Sequence, residues 1–235
     1  MPIYPADTQL SVHDVHPRQA ISGWQLSPDG GQFAFVHRRD ELAEEVIAHG
    51  QRRIKVTSLA DLCLLPSDGG YPRPLTSSGD FSTPAVWSPD GQWLAFARAG
   101  ELQVMPATGG EGRALYRGPL FQPPLYDPGD AALGLPRWSP AGNAILFATR
   151  EGHRTTLHLV SNDGRLQREI LAVEGTIVSW DWSPDGRRVV VVTRGEDGWT
   201  GDVRVLDVET GAARVLCTEE HYEYRKPVAA WAPDE

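Results

Sequence analysis

The phrase Trp-Ser-Pro-Asp-Gly recurs along this chain, and it narrows the fold more than any other feature. It stands complete at Trp87 to Gly91 and at Trp182 to Gly186, with near copies at Leu26 to Gly30, Trp138 to Gly142 and Trp231 to Asp234. Apolar runs follow the first four copies, over 32–37, 93–98, 144–149 and 188–194. Proline presets φ for a turn and glycine accepts positive φ without a Cβ clash, so Pro-Asp-Gly between apolar runs is a hairpin signal.

Spacing selects the type of repeat. Ser27, Ser88, Ser139, Ser183 and Ala232 hold the same place in successive copies and lie about 44 to 61 residues apart, the period of four-stranded propeller blades rather than of helical or leucine-rich repeats. Each repeat then reads as four short β-rich runs. In the fourth these are 177–183, 188–194, 202–208 and 213–218, divided by turn residues such as Glu209-Thr210-Gly211. The expected fold is therefore all-β, a β-propeller of four-stranded antiparallel blades over about 23–77, 85–117, 135–173 and 177–218. Residues 1–22 form an N-terminal extension, and a fifth blade begins at 228.

A ring that stops one strand into a blade leaves strand edges unpaired, so the ring is expected to be incomplete. In the alternative geometry the terminal strand, or Tyr4 to Val15, completes a further blade and closes a small ring. The first repeat carries an insertion over 38–57. Its segment Asp40 to His49 is rich in helix formers, which predicts a short helix before an extended return through Ile54-Lys55-Val56.

Within the repeated phrase, Asp29, Asp90 and Asp185 are expected to accept hydrogen bonds from their own turns rather than to hold calcium, since Ala141 replaces the aspartate once without spoiling the pattern. Trp87, Trp138, Trp182 and Trp231 are expected to pack between neighbouring blades.

A chain of 235 residues with 40% hydrophobic residues can bury a sizeable core, and a net charge of -9 with no basic stripe argues against nucleic acid. No apolar run approaches membrane-spanning length and no secretory signal opens the chain, so a cytoplasmic location and no membrane partner are expected. Cys63 and Cys217 are read as free thiols packed as small hydrophobes. The seven histidines are scattered, with no Cys/His cluster, and no metal or cofactor is expected.

The string Asp61 to Gly70, then Pro74-Leu75-Thr76, Trp87 to Gly91 and Leu94-Ala95-Phe96 resembles the N-terminal propeller of prolyl oligopeptidase family serine peptidases, of the acylaminoacyl-peptidase and dipeptidyl-aminopeptidase type. The segment Ile21 to Val36 is similar to the first blade of such enzymes, and the same motifs are shared by the Tol-system propeller and other WD-like propellers.

The resemblance implies a C-terminal α/β-hydrolase domain, in the same parent chain, that carries a Ser-Asp-His triad. It implies that the propeller gates access of short peptides to that site. No serine here stands in a Gly-x-Ser-x-Gly elbow, so this chain has no catalytic residue of its own while the parent is expected to be a serine-type peptidase. Some members hold a substrate's free amino terminus with propeller side chains. The adjacent acidic pairs Glu219-Glu220 and Glu44-Glu45 are the candidates here, against the alternative that they are solvated charges. A stand-alone propeller that binds a protein partner is the competing function, and a homo-oligomer is left open.

Overall fold

Each Ser-Pro-Asp-Gly segment closes a hairpin by the same set of hydrogen bonds. This is seen in a computed structural model that describes residues 19–46, 52–79, 83–120, 135–197, 200–219 and 230–232. In the first turn the Ser27 amide donates to the Gln32 carbonyl at 2.7 Å and the Gly30 amide to the Ser27 carbonyl at 2.9 Å. Ser27 Oγ donates to Asp29 Oδ1 at 2.6 Å and accepts from the Gln32 amide at 2.9 Å. The Gly31 amide closes the set by donating to Asp29 Oδ1 at 3.0 Å.

Ser88 with Asp90 and Ser183 with Asp185 repeat this network. In the third turn Ala141 offers no acceptor, and Ser139 Oγ donates instead to Asn143 Oδ1 at 2.8 Å. The closing glycine sits at φ 69 to 73° in all four turns, a left-handed backbone that a Cβ would strain.

Among the described residues sixteen strands follow from these and the later turns, in four four-stranded antiparallel sheets whose spatial order is the chain order or its reverse. The first sheet holds β1 (Gln19–Leu26), β2 (Gln32–Val46), β3 (Arg52–Pro66) and β4 (Arg73–Pro74). The second holds β5 (Val86–Trp87), β6 (Trp93–Arg98), β7 (Glu101–Pro106) and β8 (Arg113–Arg117). The third holds β9 (Arg137–Trp138), β10 (Ala144–Glu151), β11 (Arg154–Ser161) and β12 (Gln167–Glu174). The fourth holds β13 (Thr176–Trp182), β14 (Arg188–Arg194), β15 (Gly201–Asp207) and β16 (Ala213–Glu219).

The first strands stand beside one another in chain order, β1 by β5, β5 by β9 and β9 by β13. This is a propeller array with no closed ring among the described residues. The first strand begins at Gln19, so residues 19–22, assigned by the sequence to the N-terminal extension, belong to the first sheet. The expected start of a fifth blade lies largely outside the described residues.

The core is three inter-sheet layers rather than one centre. Val36, Leu62 and Leu64 of the first sheet meet Leu94, Phe96 and Met105 of the second. Ala95, Leu102 and Val104 of the second meet Ile145, Phe147 and Val160 of the third. Leu146, Leu157 and Leu159 of the third meet Trp182, Val189 and Val191 of the fourth. Consecutive residues such as Ile145 and Leu146 serve opposite layers, which is why the inner strands read as continuous apolar runs instead of alternating ones.

Two polar ligatures cross every layer. The Nε1 of Trp87, Trp138 and Trp182 donates to the carbonyl of Gln25, Val86 and Arg137, each at 3.2 Å and each in the first strand of the preceding sheet. Trp87, Trp138 and Trp182 thus join neighbouring sheets, while Trp231 makes no such bond among the described residues. In the other direction an arginine of the last strand forks onto the next sheet. Arg73 donates to the carbonyls of Thr108 and Ala107 at 3.0 and 3.4 Å, Arg113 to those of Asp163 and Asn162 at 2.8 and 2.6 Å, and Arg168 to that of Val208.

Over residues 38–46 and 52–57 the insertion in the first repeat is strand and not the expected helix, while 47–51 lie outside the described residues. β2 and β3 pair without interruption from Gln32 opposite Pro66 to Val46 opposite Arg52. Among the described residues β1 accompanies β2 as far as Arg39, and beyond it β2 and β3 continue as a two-stranded ribbon. A helix of ten residues is marginal by itself, whereas extending an existing ladder adds hydrogen bonds with no new nucleation and places Leu42 opposite Val56.

Candidate functional site

The turns of the first two sheets enclose an open groove of about 790 Å³. Its polar lining includes Asp29, Asp90, Arg73 and Gln32, and Trp87 and Trp93 supply its aromatic walls. These charges are already committed. Each aspartate accepts from the serine and the backbone of its own turn, which holds its carboxyl below the ordinary value of 3.8. Arg73 is held by the carbonyls of Ala107 and Thr108. The groove is a joint between sheets and offers no free acid or base.

The candidate anchors fall at two far ends of the array. Glu44 and Glu45 lie in the ribbon opposite Ile54 and Arg53. Glu219 ends β16 opposite Gly201, while Glu220 lies outside the described residues. The two acidic candidates sit in the first and fourth sheets and share no ladder.

Sequence reasoning passed over two buried polar groups. Asp61 is 3% exposed; its Oδ2 accepts from Arg39 Nη1 at 2.6 Å, and its Oδ1 from Thr76 Oγ1 and the Gly79 amide, each at 3.1 Å. Burial alone would raise this carboxyl, but the Arg39, Gly79 and Thr76 donors outweigh it and the net shift is downward. Thr76 Oγ1 also accepts from the Leu62 amide, which ties the last turn of the sheet to β3. The signal was an aspartate inside an apolar strand run, where an unpaired charge would not be tolerated.

The second group is His158, whose Nε2 lies 2.8 Å from Thr149 Oγ1. A hydroxyl beside an imidazole is the start of a nucleophile and base pair, but this one is sealed. Both side chains are buried, the His158 ring stacks on Phe147 at 5.1 Å, and Nδ1 has no partner to orient it. Burial pushes the imidazole below its ordinary 6.5.

Cys63 is buried and free, with its thiol pushed up by burial, and Cys217 is free but exposed, which corrects the reading of both as interior residues. Among the described residues no three His, Cys, Asp or Glu side chains converge to hold a metal ion, and no helix is long and apolar enough to cross a membrane.

The chain matches no known family profile. Over 148 residues it is 26% identical to the uncharacterized peptidase YuxL of Bacillus subtilis, covering 61% of this chain and 19% of that protein. Over 124 residues it is 27% identical to the Tol-Pal system protein TolB of Xanthomonas oryzae, covering 50% of this chain and 26% of that one. The chain thus spans about a quarter or less of the length of these relatives. The crystal structure of Porphyromonas gingivalis dipeptidyl peptidase 4 superimposes with a TM-score of 0.60 at 12% identity, over 86% of this chain and 33% of that one. At that identity the likeness is one of fold.

Proposed function

We propose that this chain is the non-catalytic, substrate-gating propeller portion of a cytoplasmic serine peptidase of the prolyl oligopeptidase type, which hydrolyses short peptides. The observation that carries this reading is the likeness to peptidases on two levels, sequence similarity to YuxL and a shared fold with a dipeptidyl peptidase. The site described above is consistent with a passive role, since Asp29 and Asp90 are consumed within their own turns and Arg73 in joining two sheets.

In this reading the chemistry belongs to an α/β-hydrolase domain of the same polypeptide, and the propeller limits entry by size. The ribbon carrying Glu44 and Glu45 is the element with reach beyond the sheets, and one of these carboxylates meets the ammonium of an incoming peptide. The test is a fluorophosphonate probe on the protein from the full reading frame, followed by peptide hydrolysis. Labelling of a serine outside residues 1–235, with cleavage of short peptides only, is expected; no labelling and no cleavage overturns the reading.

A second reading, that of a stand-alone propeller that binds a protein partner and catalyses nothing, rests on the similarity to the Tol-Pal system protein TolB. Absence of labelling together with specific capture of a partner protein selects it.

A further inference from the structure

Six Asp-Gly pairs stand in this chain, and five of them, at Asp29, Asp68, Asp90, Asp163 and Asp185, lie wholly within the described residues. Four hold the aspartate in one way. A serine two residues earlier donates its hydroxyl to Oδ1 of Asp29, Asp90, Asp163 and Asp185 at 2.5 to 2.6 Å, and the amide two residues later donates to the same oxygen at 3.0 Å.

Asp68 is the exception. Two residues before it stands Pro66, which has no hydroxyl, and among the described residues no donor reaches its carboxylate. The turn around it is also looser, because the Gly69 amide meets the Pro66 carbonyl at 3.2 Å where the glycines of the four held pairs make the same bond at 2.9 Å. Residues 66–74 are all exposed, with Tyr71 at 94%. Nothing lies within 4 Å of the place a Cβ on Gly69 would take, whereas Gly91, Gly164 and Gly186 face Pro28, Leu115 and Pro140 of the preceding repeat at 3.4 to 3.8 Å.

An aspartyl carboxyl is open to attack by the main-chain nitrogen of the next residue, and glycine screens that nitrogen least because it has no Cβ. We propose that Asp68-Gly69 is a site of spontaneous backbone modification, at which the Gly69 nitrogen closes on Asp68 Cγ to a succinimide that reopens as isoaspartate. The N–Cγ bond forms, and the amide proton leaves with the carboxyl hydroxyl as water. Water then reopens the ring. Attack at Cγ breaks the new bond and restores aspartate, while attack at the main-chain carbonyl carbon of Asp68 breaks its bond to the Gly69 nitrogen, so that the chain runs on through Cβ and Cγ. One water is lost and one regained, with no other reactant.

The four held aspartates must first give up two donors. Those donors also keep their carboxyls below the ordinary value, and it is the protonated carboxyl that releases water. The modified turn is peripheral: among the described residues β4 meets β3 only as Pro74 opposite Cys63 and Arg73 opposite Leu64, so the longer main chain is tolerated and the product accumulates in a folded protein. The inference is independent of the peptidase reading, which labelling tests separately.

The experiment incubates the folded 235-residue chain at neutral pH and physiological temperature for several weeks. Each Asp-Gly peptide is then read, after digestion, by liquid chromatography with electron-transfer fragmentation, which tells isoaspartate from aspartate. Asp68 is expected to convert at least about tenfold faster than Asp29, Asp90, Asp163 or Asp185, a factor of the order that one hydrogen bond to a carboxylate supplies. In the chain unfolded in guanidinium chloride the five are expected to convert at similar rates. Ser88→Ala removes the hydroxyl from Asp90 and is expected to speed that pair. Pro66→Ser supplies one to Asp68 and is expected to slow it, with near-ultraviolet circular dichroism confirming that both variants are folded. Equal rates at the five pairs in the folded chain overturn the proposal, as does an Asp68 that stays intact when folded and converts when unfolded. Rates indifferent to both variants overturn it as well.

Discussion

Trp138 Nε1 donates to the Val86 carbonyl at 3.2 Å and so fastens the third sheet to the first strand of the second. β5 and β9 have two residues each, too short to hold a position by ladder bonds alone, and the indole fixes one against the other. Trp138→Phe keeps an aromatic ring and loses the donor. The expected cost is about 1 kcal/mol, a typical net value for one such bond, read as a lower midpoint in urea with unchanged slope. A change in slope would mean that the sheets separate independently.

The turn aspartates set the response to acid. Asp29, Asp90 and Asp185 are held below their ordinary value chiefly by the serine hydroxyl two residues earlier, then by a backbone amide. A carboxylate with a depressed folded value contributes stability above its unfolded value of 3.8 and loses it as pH falls through the folded value. Stability should therefore decline below about pH 4. Asp90→Asn and Asp185→Asn should flatten that limb, since Asn143 already fills the acceptor role in the third turn without a charge. An unchanged limb in the double variant would remove these turns as its source.

Asp61 and Arg39 make a different test because the carboxylate is buried and the guanidinium only partly so, at 35% exposure. Asp61→Ala strips the Gly79 amide and Thr76 hydroxyl of their acceptor and leaves Arg39 only the long, exposed contact with Glu41 at 3.8 Å. The expected loss is about 3 kcal/mol, the lower end of the range for breaking buried pairs, since water can still reach Arg39. Arg39→Met should cost more than a surface change and less than Asp61→Ala. Chemical denaturation of the two variants measures the order.

The repeat, its period and the four-strand grammar were legible because turn chemistry is local: Ser, Pro, Asp and Gly act within five residues of one another. The joint made by Trp87, Trp138 and Trp182 was legible too, through repetition. The arginine ligature was not noticed, although an arginine follows the last turn glycine by three or four residues in every repeat, as Gly110 and Arg113 show. The side chain acts on another sheet, and a single repeat gives no sign of that. The ribbon was misread because helix propensity is a property of a segment, whereas its pairing with Arg52 to Ser58 is settled by a ladder that begins inside the sheet. Asp61 and His158 sit in apolar runs, and their partners come from Arg39 and Thr149 on adjacent strands.

His158 should produce a second, earlier acid limb. Burial lowers its folded value below the ordinary 6.5, so the unfolded chain binds a proton that the folded chain refuses. Protons bound preferentially by the unfolded state make stability rise with pH, so the contribution is full above about 6.5 and falls away as pH drops toward the folded value. The ring also fills space against Phe147 and Tyr116, at 5.1 and 5.8 Å between centroids, so removing it outright would confound charge with packing. His158→Phe keeps the ring and leaves the Thr149 hydroxyl without its nitrogen partner. It should lower stability at pH 8 by about 1 to 3 kcal/mol for that unmade bond and abolish the decline that sets in below about pH 6.5, while leaving the aspartate limb below about pH 4 intact. Urea midpoints at pH 8, 6, 5 and 3.5 resolve the two limbs. A variant that keeps the decline setting in below about pH 6.5 would assign that limb to another group.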